Sequence, residues 1–212
     1  MKHITEKWMQ KKFADLNILP DVAIDVGVNI VQYLYFYSTF VNTVIGFEPN
    51  KSCYELIKKS LNEKNISSNK IVIYPDALTN FNGTGIFYIN LKDSCYSVGN
   101  YDQVKIHNDN GLFNELDWKT DTVSYKTLDS FKNQLQGRKL DILKIDTEFN
   151  DLDVIEGGHD VIQTHRPIID LEHIPKDFKN VKSEFDFLFD LNYKKIETLV
   201  KENVLLVPGE ML

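Results

Sequence analysis

Polar side chains that could bind a ligand or move a proton follow five separate apolar runs of this 212-residue chain. In chain order they are the turn Asp25–Asn29, then Glu48, Asp76 with Ala77, Asp146 with Glu148, and Glu172 with His173. Carboxylates accept hydrogen bonds from hydroxyl and amino groups, and a histidine titrates near neutral pH. Each of these places therefore carries a group capable of ligand binding or acid–base chemistry.

The turn at residues 25–29 and Glu48 together favour an adenosine-type ligand. Gly27 permits a tight turn and a close backbone approach, and Asn29 tolerates left-handed geometry. Glu48 follows Gly27 by 21 residues, where an acidic side chain can accept hydrogen bonds from ribose hydroxyls. An ordinary turn and a solvated carboxylate are the alternatives when each feature is taken alone.

The downstream groups extend this interpretation. Asp76 could accept a hydrogen bond from an adenine amino group, and the small Ala77 leaves room for the ring. Asp146 and Glu148 are two residues apart and project to the same side of an extended segment. They could hold an amino group, act as a general base or ligate a metal. His173 is a further candidate base, with a packed or solvated loop histidine as its alternative.

The elements that must position these groups alternate between strands and helices. Predicted strands are Val22–Val28, Val44–Phe47, Ile71–Tyr74, Gly85–Asn90, Ile142–Asp146 and Ile168–Leu171. Repeated strand–helix–strand units predict an α/β fold with a mostly parallel sheet and helices on both faces. Lys144, inside one strand, is interpreted in the plainest way as a lysine that reaches the surface. Ligands of such sheets bind at the carboxyl ends of the strands.

The end of the chain departs from this pattern. The strands predicted at residues 193–199 and 203–207 are too close for a crossover, so they form a C-terminal antiparallel hairpin. We expect an N-terminal helical extension at residues 1–20 and one domain at residues 21–212. Residues 91–121 are rich in turn formers and are predicted to be an irregular insertion.

The composition of the chain and the absence of several motifs argue against particular classes of function. The net charge of −7 argues against a nucleic-acid partner, since phosphate binding needs a basic surface. Cys53 and Cys95 lack metal-type spacing, and no signal peptide or membrane span is predicted, so we expect a cytoplasmic protein. No G-x-G-x-x-G, P-loop, G-x-S-x-G or H-E-x-x-H motif occurs.

An ordered set of segments between about residues 21 and 174 resembles the FkbM family of methyltransferases. The matching segments are Ala23–Asn29, Gly46–Asn50, Asp76–Leu78, Thr127–Asp129, Leu143–Glu148, Val154–Gly157 and Pro167–His173. The resemblance implies a class I, Rossmann-like methyltransferase fold with a mostly parallel seven-stranded sheet, and S-adenosyl-L-methionine as the cofactor. It also implies O-methylation, often of a sugar hydroxyl on a glycan, a lipid-linked saccharide or a natural product.

The resemblance also implies roles for individual residues. The cofactor set comprises Asp25, Gly27 and Asn29 for the methionine end, Glu48 for the ribose, Asp76 and Ala77 for the adenine, Asp146 near the sulfonium, and Pro49. Asp146, Glu148 and His173 are the catalytic candidates, and no metal is assigned. The acceptor is expected to be a small molecule or glycan, and the oligomeric state is not predicted.

Two departures from the family pattern keep other functions open. Val31 stands where the family usually has glycine, and Phe149 replaces a glycine after the strand that ends near Ile145. One alternative is a non-catalytic binding module with impaired cofactor binding. A separate alternative comes from the position of Asp146, Glu148 and His173 on neighbouring strand ends: a metal-assisted transferase that uses them as hard ligands.

Overall fold

The apolar runs of the sequence form the strands of two β-sheets in a computed structural model that describes all residues except 1–3, 93–96, 100, 110, 112–113, 149, 172–181 and 197–203. The described helices and strands, in chain order, are α1 (Ile4–Asp15), β1 (Val22–Val26), α2 (Gln32–Ser38), β2 (Thr43–Phe47), α3 (Lys51–Glu63), β3 (Ile71–Tyr74), β4 (Asp76–Leu78), β5 (Gly83–Asn90), β6 (Ser97–Val98), α4 (Tyr101–Asp109), β7 (Trp118–Lys126), β8 (Leu140–Ile145), α5 (Asp151–Glu156), α6 (His159–His165), β9 (Ile168–Leu171), α7 (Lys182–Asp190), β10 (Tyr193–Ile196) and β11 (Val204–Pro208). Short 3₁₀ helices lie at Glu115–Asp117, Leu128–Leu135 and Gly209–Met211.

The larger sheet has seven strands in the order β3-β2-β1-β8-β9-β11-β10. The pairs from β3 through β9 are parallel, and β11 pairs antiparallel with both β9 and β10. The predicted fold class, a mostly parallel seven-stranded sheet with a C-terminal antiparallel hairpin, is confirmed.

Both faces of this sheet are covered, which explains why its strands are continuous apolar runs. Every residue of β1, β2, β8, β9 and β11 is buried. Met9 and Phe13 of α1 belong to the core cluster of one face, together with Leu34 and Tyr37 of α2. The helix of the predicted N-terminal extension therefore packs into the core of the domain.

The second sheet was not predicted. It has four strands in the order β4-β7-β5-β6, and its β5 contains the segment Gly85–Asn90 that we expected in the main sheet. Within residues 91–121, predicted to be irregular, the described part includes β6, α4 and the first residues of β7. The sequence does not predict β7, because apolar and polar residues alternate only in the second half of this strand. The four residues before Val123 are all exposed.

Register explains which residues meet at the edge of the main sheet. Val26 of β1 pairs with Phe47 of β2 on one side and with Ile145 of β8 on the other. These three central strands end at the same level, so the residues that follow them leave the sheet together. No described helix is long and apolar enough to span a membrane.

Candidate functional site

A cleft of about 450 Å³ opens at the carboxyl ends of β1, β2 and β8. Its volume lies in the range of small-molecule sites. Eight of the residues proposed from the sequence line it: Gly27, Asn29, Glu48, Pro49, Asp76, Ala77, Asp146 and Glu148. Asp25 is not among the lining residues, and His173 lies outside the described residues. The individual roles of these side chains remain predictions.

The floor of the cleft is a turn in which only glycine fits. Gly27 has φ +80°, and a Cβ atom there would overlap the carbonyl oxygen of Asp146. The Gly27 N–H donates to the carbonyl of Phe47 at 3.0 Å, and the Asp146 N–H donates to the carbonyl of Val26 at 3.0 Å. Backbone contacts therefore join the ends of three strands through a residue without a side chain.

The side chain of Glu48 connects the turn after β1 to the turn after β2 by hydrogen bonds. Its Oε2 accepts from the Asn29 N–H and its Oε1 from the Asn50 N–H, each at 2.8 Å. Asn29 has φ +49°, so the carboxylate supports a left-handed residue. Burial raises the pKa of Glu48 to about 7; the two backbone N–H groups oppose the rise, and the charges of Asp25 and Asp146 add to it. Glu48 thus combines a structural role with a place at the cleft.

Asp25 lies behind the cleft instead of in its lining. Its side chain is fully buried, and Lys144 Nζ lies 3.5 Å from its Oδ1. Burial raises the pKa of Asp25 to about 6, and the neighbouring Lys144 ammonium works against that rise. Asp25 precedes the end of β1 by one residue, which places its side chain within the sheet.

The loop after β8 is held by Asp151. Its Oδ1 accepts from the Thr147 N–H at 2.9 Å and from the Thr147 hydroxyl at 2.6 Å. On this loop Asp146 accepts from Lys144 Nζ at 3.1 Å, and Glu148 has a left-handed φ of +52°. The buried Asp151 at the start of α5 therefore shapes the loop that carries Asp146 and Glu148.

The opposite side of the cleft, which we call the second-sheet wall, consists of Phe81, Gly85, Ile86 and Tyr125. The Tyr125 ring stacks on Phe81 at a centroid distance of 5.3 Å. Its hydroxyl lies 3.1 Å from the carbonyl oxygens of both Ile86 and Gly99 and can donate to one at a time. In the sequence, the alternation of apolar and polar residues at Val123, Ser124 and Tyr125 could have indicated the strand β7 that contributes to this wall.

The charged side chains that line the cleft are all acidic among the described residues. Its lining includes five carboxylate side chains, those of Glu48, Asp76, Asp146, Glu148 and Asp153, and no lysine or arginine among the described residues. Such a lining favours a ligand that carries positive charge. No group of three or more metal-ligating side chains occurs in the part of the chain that the structure describes.

Of the two residues that depart from the family pattern, the structure describes Val31 and does not describe Phe149. Val31 has φ −64° and ψ −6°, an ordinary right-handed conformation that does not require glycine. Its side chain packs against the core cluster of the α1 and α2 face, and it does not line the cleft. Phe149 lies outside the described residues. Ser97 of β6 also lines the cleft, and the preceding residues 94–96 are likewise not described.

Comparison with known proteins gives a family and a fold. Residues 25–195 match the model of the methyltransferase FkbM domain family. The structure is similar to that of methyltransferase FkbM from Methylobacillus flagellatus KT, with 11% identity and a TM-score of 0.55, over 88% of this chain and 43% of that chain. A putative rRNA-methylase from Clostridium thermocellum has 11% identity and a TM-score of 0.44, over 88% and 84% of the two chains.

The chain spans less than half the length of the Methylobacillus structure. At 11% identity, that structure supports the fold. A comparison with curated proteins gives no match.

Proposed function

Because the chain belongs to the FkbM methyltransferase family, we propose that it is an S-adenosylmethionine-dependent O-methyltransferase acting on a hydroxyl of a saccharide, glycolipid or natural product. The observation that carries the proposal is the acid-lined cleft beside Gly27, at the ends of β1, β2 and β8. In open α/β sheets this edge is where nucleotide ligands bind. The proposal includes a cytoplasmic location and no nucleic-acid partner, in keeping with the net charge of −7.

The cleft fits the proposed cofactor in size and charge. S-adenosylmethionine carries a sulfonium and an ammonium group, and five carboxylates line the cleft. Gly27 allows the turn at the floor to pass against the Asp146 carbonyl, and the methionine end would lie at this floor together with Asn29. Glu48 and Pro49 would face the ribose, and Asp76 and Ala77 the adenine.

The chemistry needs an electrophile, a positioned hydroxyl and a proton acceptor. The cofactor, when bound, supplies a methyl group activated by the positive sulfonium. Asp146 and Glu148 line the cleft, and either carboxylate could take the proton from an acceptor hydroxyl. The second-sheet wall would orient the acceptor and limit the access of water, and orientation alone supplies a large part of such rate enhancements.

Calorimetric titration with S-adenosylhomocysteine tests cofactor binding. We expect saturable binding at one site, and no heat of binding at millimolar ligand would contradict the proposal. Asp146→Asn should weaken binding. Asp102→Asn provides the matched control, because Asp102 is an exposed carboxylate of α4 that does not line the cleft.

Transfer of a labelled methyl group to a panel of saccharides and glycolipids tests the acceptor class. Glu148→Gln should retain S-adenosylhomocysteine binding and lower turnover by roughly 10²- to 10⁴-fold if Glu148 is the general base. Unchanged turnover would reassign that role to Asp146 or His173. Transfer only to amines would contradict O-methylation while leaving the methyltransferase assignment intact.

The two alternatives have their own tests. A non-catalytic binding module was suggested by Val31 and Phe149, and the ordinary backbone of Val31 outside the cleft lining gives it no support. Turnover with any acceptor would exclude it. A metal-assisted transferase would lose activity after exhaustive chelation, whereas full activity in the chelated protein would exclude metal assistance.

A further inference from the structure

Three charged residues lie side by side inside the main sheet, beneath the cleft. Asp25 of β1 is in register with Lys144 of β8, and Lys144 is in register with Asp170 of β9. Their exposed fractions are 0%, 3% and 1%, respectively. The interpretation of Lys144 as a surface lysine was therefore wrong, because β8 is an interior strand with both faces covered. We call these three residues the buried charge row.

Lys144 connects this row to the cleft. Its Nζ lies 3.1 Å from Asp146 Oδ2 and 3.5 Å from Asp25 Oδ1, and it sits 4.7 Å from the centre of the Tyr33 ring. Asp146 lines the cleft, whereas Asp25 and Tyr33 do not. Through Asp146, a fully interior cation is in contact with a carboxylate that faces the ligand space.

Stability alone gives a weak reason for an ammonium group at this depth. Removing two charges from water is costly, and apolar side chains of similar volume often replace a buried ion pair without loss of stability. A fixed donor does, however, restrict a carboxylate that would otherwise rotate in the loop after β8. Supporting contacts of this kind hold site residues in a productive orientation.

We propose that Lys144 is a positioning residue that fixes the Asp146 carboxylate for the ammonium group at the methionine end of the cofactor. This inference rests on the proposed function. Lys144 donates to Oδ2, and a carboxylate has about four lone-pair positions, so Asp146 retains the capacity to accept from a ligand ammonium group. One ammonium among the carboxylates of Asp25, Asp146 and Asp170 leaves the group net negative, which suits a cationic ligand.

A pair of ligands separates positioning from general damage. S-adenosylhomocysteine has the amino-acid end that Asp146 would contact, and 5′-methylthioadenosine keeps the adenosine and lacks that end. Lys144→Met should weaken binding of S-adenosylhomocysteine by roughly tenfold to a hundredfold, the range expected for losing a charge-assisted hydrogen bond. Binding of 5′-methylthioadenosine should stay within about twofold, measured by ligand-observed NMR up to millimolar concentration.

Asp170→Asn is the matched control. Asp170 borders Lys144 in the buried charge row on the side away from Asp25, and it does not line the cleft. Its substitution changes the charge of the row without touching the Lys144–Asp146 contact. We expect it to shift the melting temperature and to leave the ratio of the two ligand affinities unchanged.

A double variant completes the test. Asp146→Asn should reproduce the selective loss of S-adenosylhomocysteine affinity, and Lys144→Met combined with Asp146→Asn should lose little more than either alone, because the two residues act as one unit. If Lys144→Met does not fold, Lys144→Gln keeps a donor without the charge and is measured with the same ligands.

Different outcomes of these measurements test the proposed function and the positioning role of Lys144 separately. Failure of the wild-type protein to bind S-adenosylhomocysteine would overturn the proposed function itself. Wild-type binding combined with equal losses for both ligands, or with no loss for either, would overturn only the positioning role of Lys144. A selective loss in Asp170→Asn as large as that in Lys144→Met would also overturn it.

Discussion

One side of the cleft is built from the ends of β1, β2 and β8, and the other is the second-sheet wall. The first, which we call the strand-end wall, consists of Gly27, Glu48 and Asp146. Backbone hydrogen bonds join their strands, and the buried Glu48 carboxylate holds the turn after β1. On the second-sheet wall, Phe81 and Ile86 are 50% and 56% exposed. The difference suggests a division of labour: the strand-end wall has one tolerated geometry and suits an invariant cofactor, whereas the second-sheet wall can vary with the acceptor.

The largest expected effect comes from adding one methyl group to the strand-end wall. Gly27→Ala forces a side chain onto the Asp146 carbonyl at φ +80°. We expect the free energy of unfolding to fall by about 3 kcal/mol or more, through strain and overpacking, and S-adenosylhomocysteine binding to be lost. Urea unfolding and calorimetry measure the two effects.

Gly137→Ala is the control for backbone strain alone. Gly137 has φ +77°, and nothing lies within 4 Å of the position that its Cβ would occupy. Its substitution should cost only about 1 kcal/mol, and cofactor binding should persist. Equal costs at the two glycines would show that the close approach at Gly27 is not what makes the strand-end wall rigid.

A smaller effect is expected from the ionisation of Glu48. Its pKa is about 7 in the folded protein against 4.5 for an ordinary glutamate, so the folded state binds the proton more tightly than the unfolded state does. The stability that this provides is fully present below pH 4.5 and is lost as the pH rises through 7. A shift of this size corresponds to on the order of 3 kcal/mol.

Glu48→Gln should flatten the dependence of unfolding free energy on pH between about 4.5 and 7. Part of the slope should remain, because Asp25, with a pKa of about 6, contributes in the same direction. Chemical unfolding at a series of pH values measures this. An unchanged slope in Glu48→Gln would mean that Glu48 is not the group whose burial governs the strand-end wall.

The two walls also differ in how far the sequence predicts them. Gly27, Glu48 and Asp146 each follow a buried apolar run, so local patterns predicted both their strands and their shared edge. The parallel pairing of β4 with β7 joins residues 76–78 to residues 124–126, and no short-range signal specifies so distant a contact. Asp76 and Ala77 were therefore predicted in a loop although they belong to a strand.

The burial of the charged residues Asp25 and Lys144 also could not be predicted from the sequence. Asp25 and Lys144 stand in strands of apolar residues, and the sequence shows neither that β8 is central nor that the two residues are in register. Only the strand order β2-β1-β8-β9 places Lys144 between two aspartates. A lysine in an apolar run therefore becomes informative only after the topology is known.

On the second-sheet wall, we expect a change in acceptor use without a change in cofactor binding. Ile86→Ala removes exposed apolar surface from the cleft, so the free energy of unfolding should change by less than about 0.5 kcal/mol. The KM for the acceptor should rise by roughly threefold to tenfold, as apolar contact with it is lost. Steady-state kinetics and calorimetry with S-adenosylhomocysteine separate the two quantities.

Leu116→Ala is the matched substitution outside the cleft, at a residue that is 91% exposed. It should leave both the acceptor KM and the cofactor affinity unchanged. If Ile86→Ala weakened S-adenosylhomocysteine binding instead, the second-sheet wall would belong to the cofactor site and the proposed division between the walls would fail.

The smallest effect on ligand binding is expected at Val31, where the sequence departs from the family beside the strand-end wall. Val31→Gly should cost about 1 kcal/mol, because a partly buried branched side chain leaves the core cluster, and glycine is well tolerated at the N-cap of α2. S-adenosylhomocysteine affinity should stay within about twofold, since the valine backbone is right-handed and its side chain lies outside the cleft. Calorimetry on the two proteins decides the point. A tenfold gain in affinity would mean that the valine side chain obstructs the cofactor after all, and the start of α2 would then have to be counted with the strand-end wall.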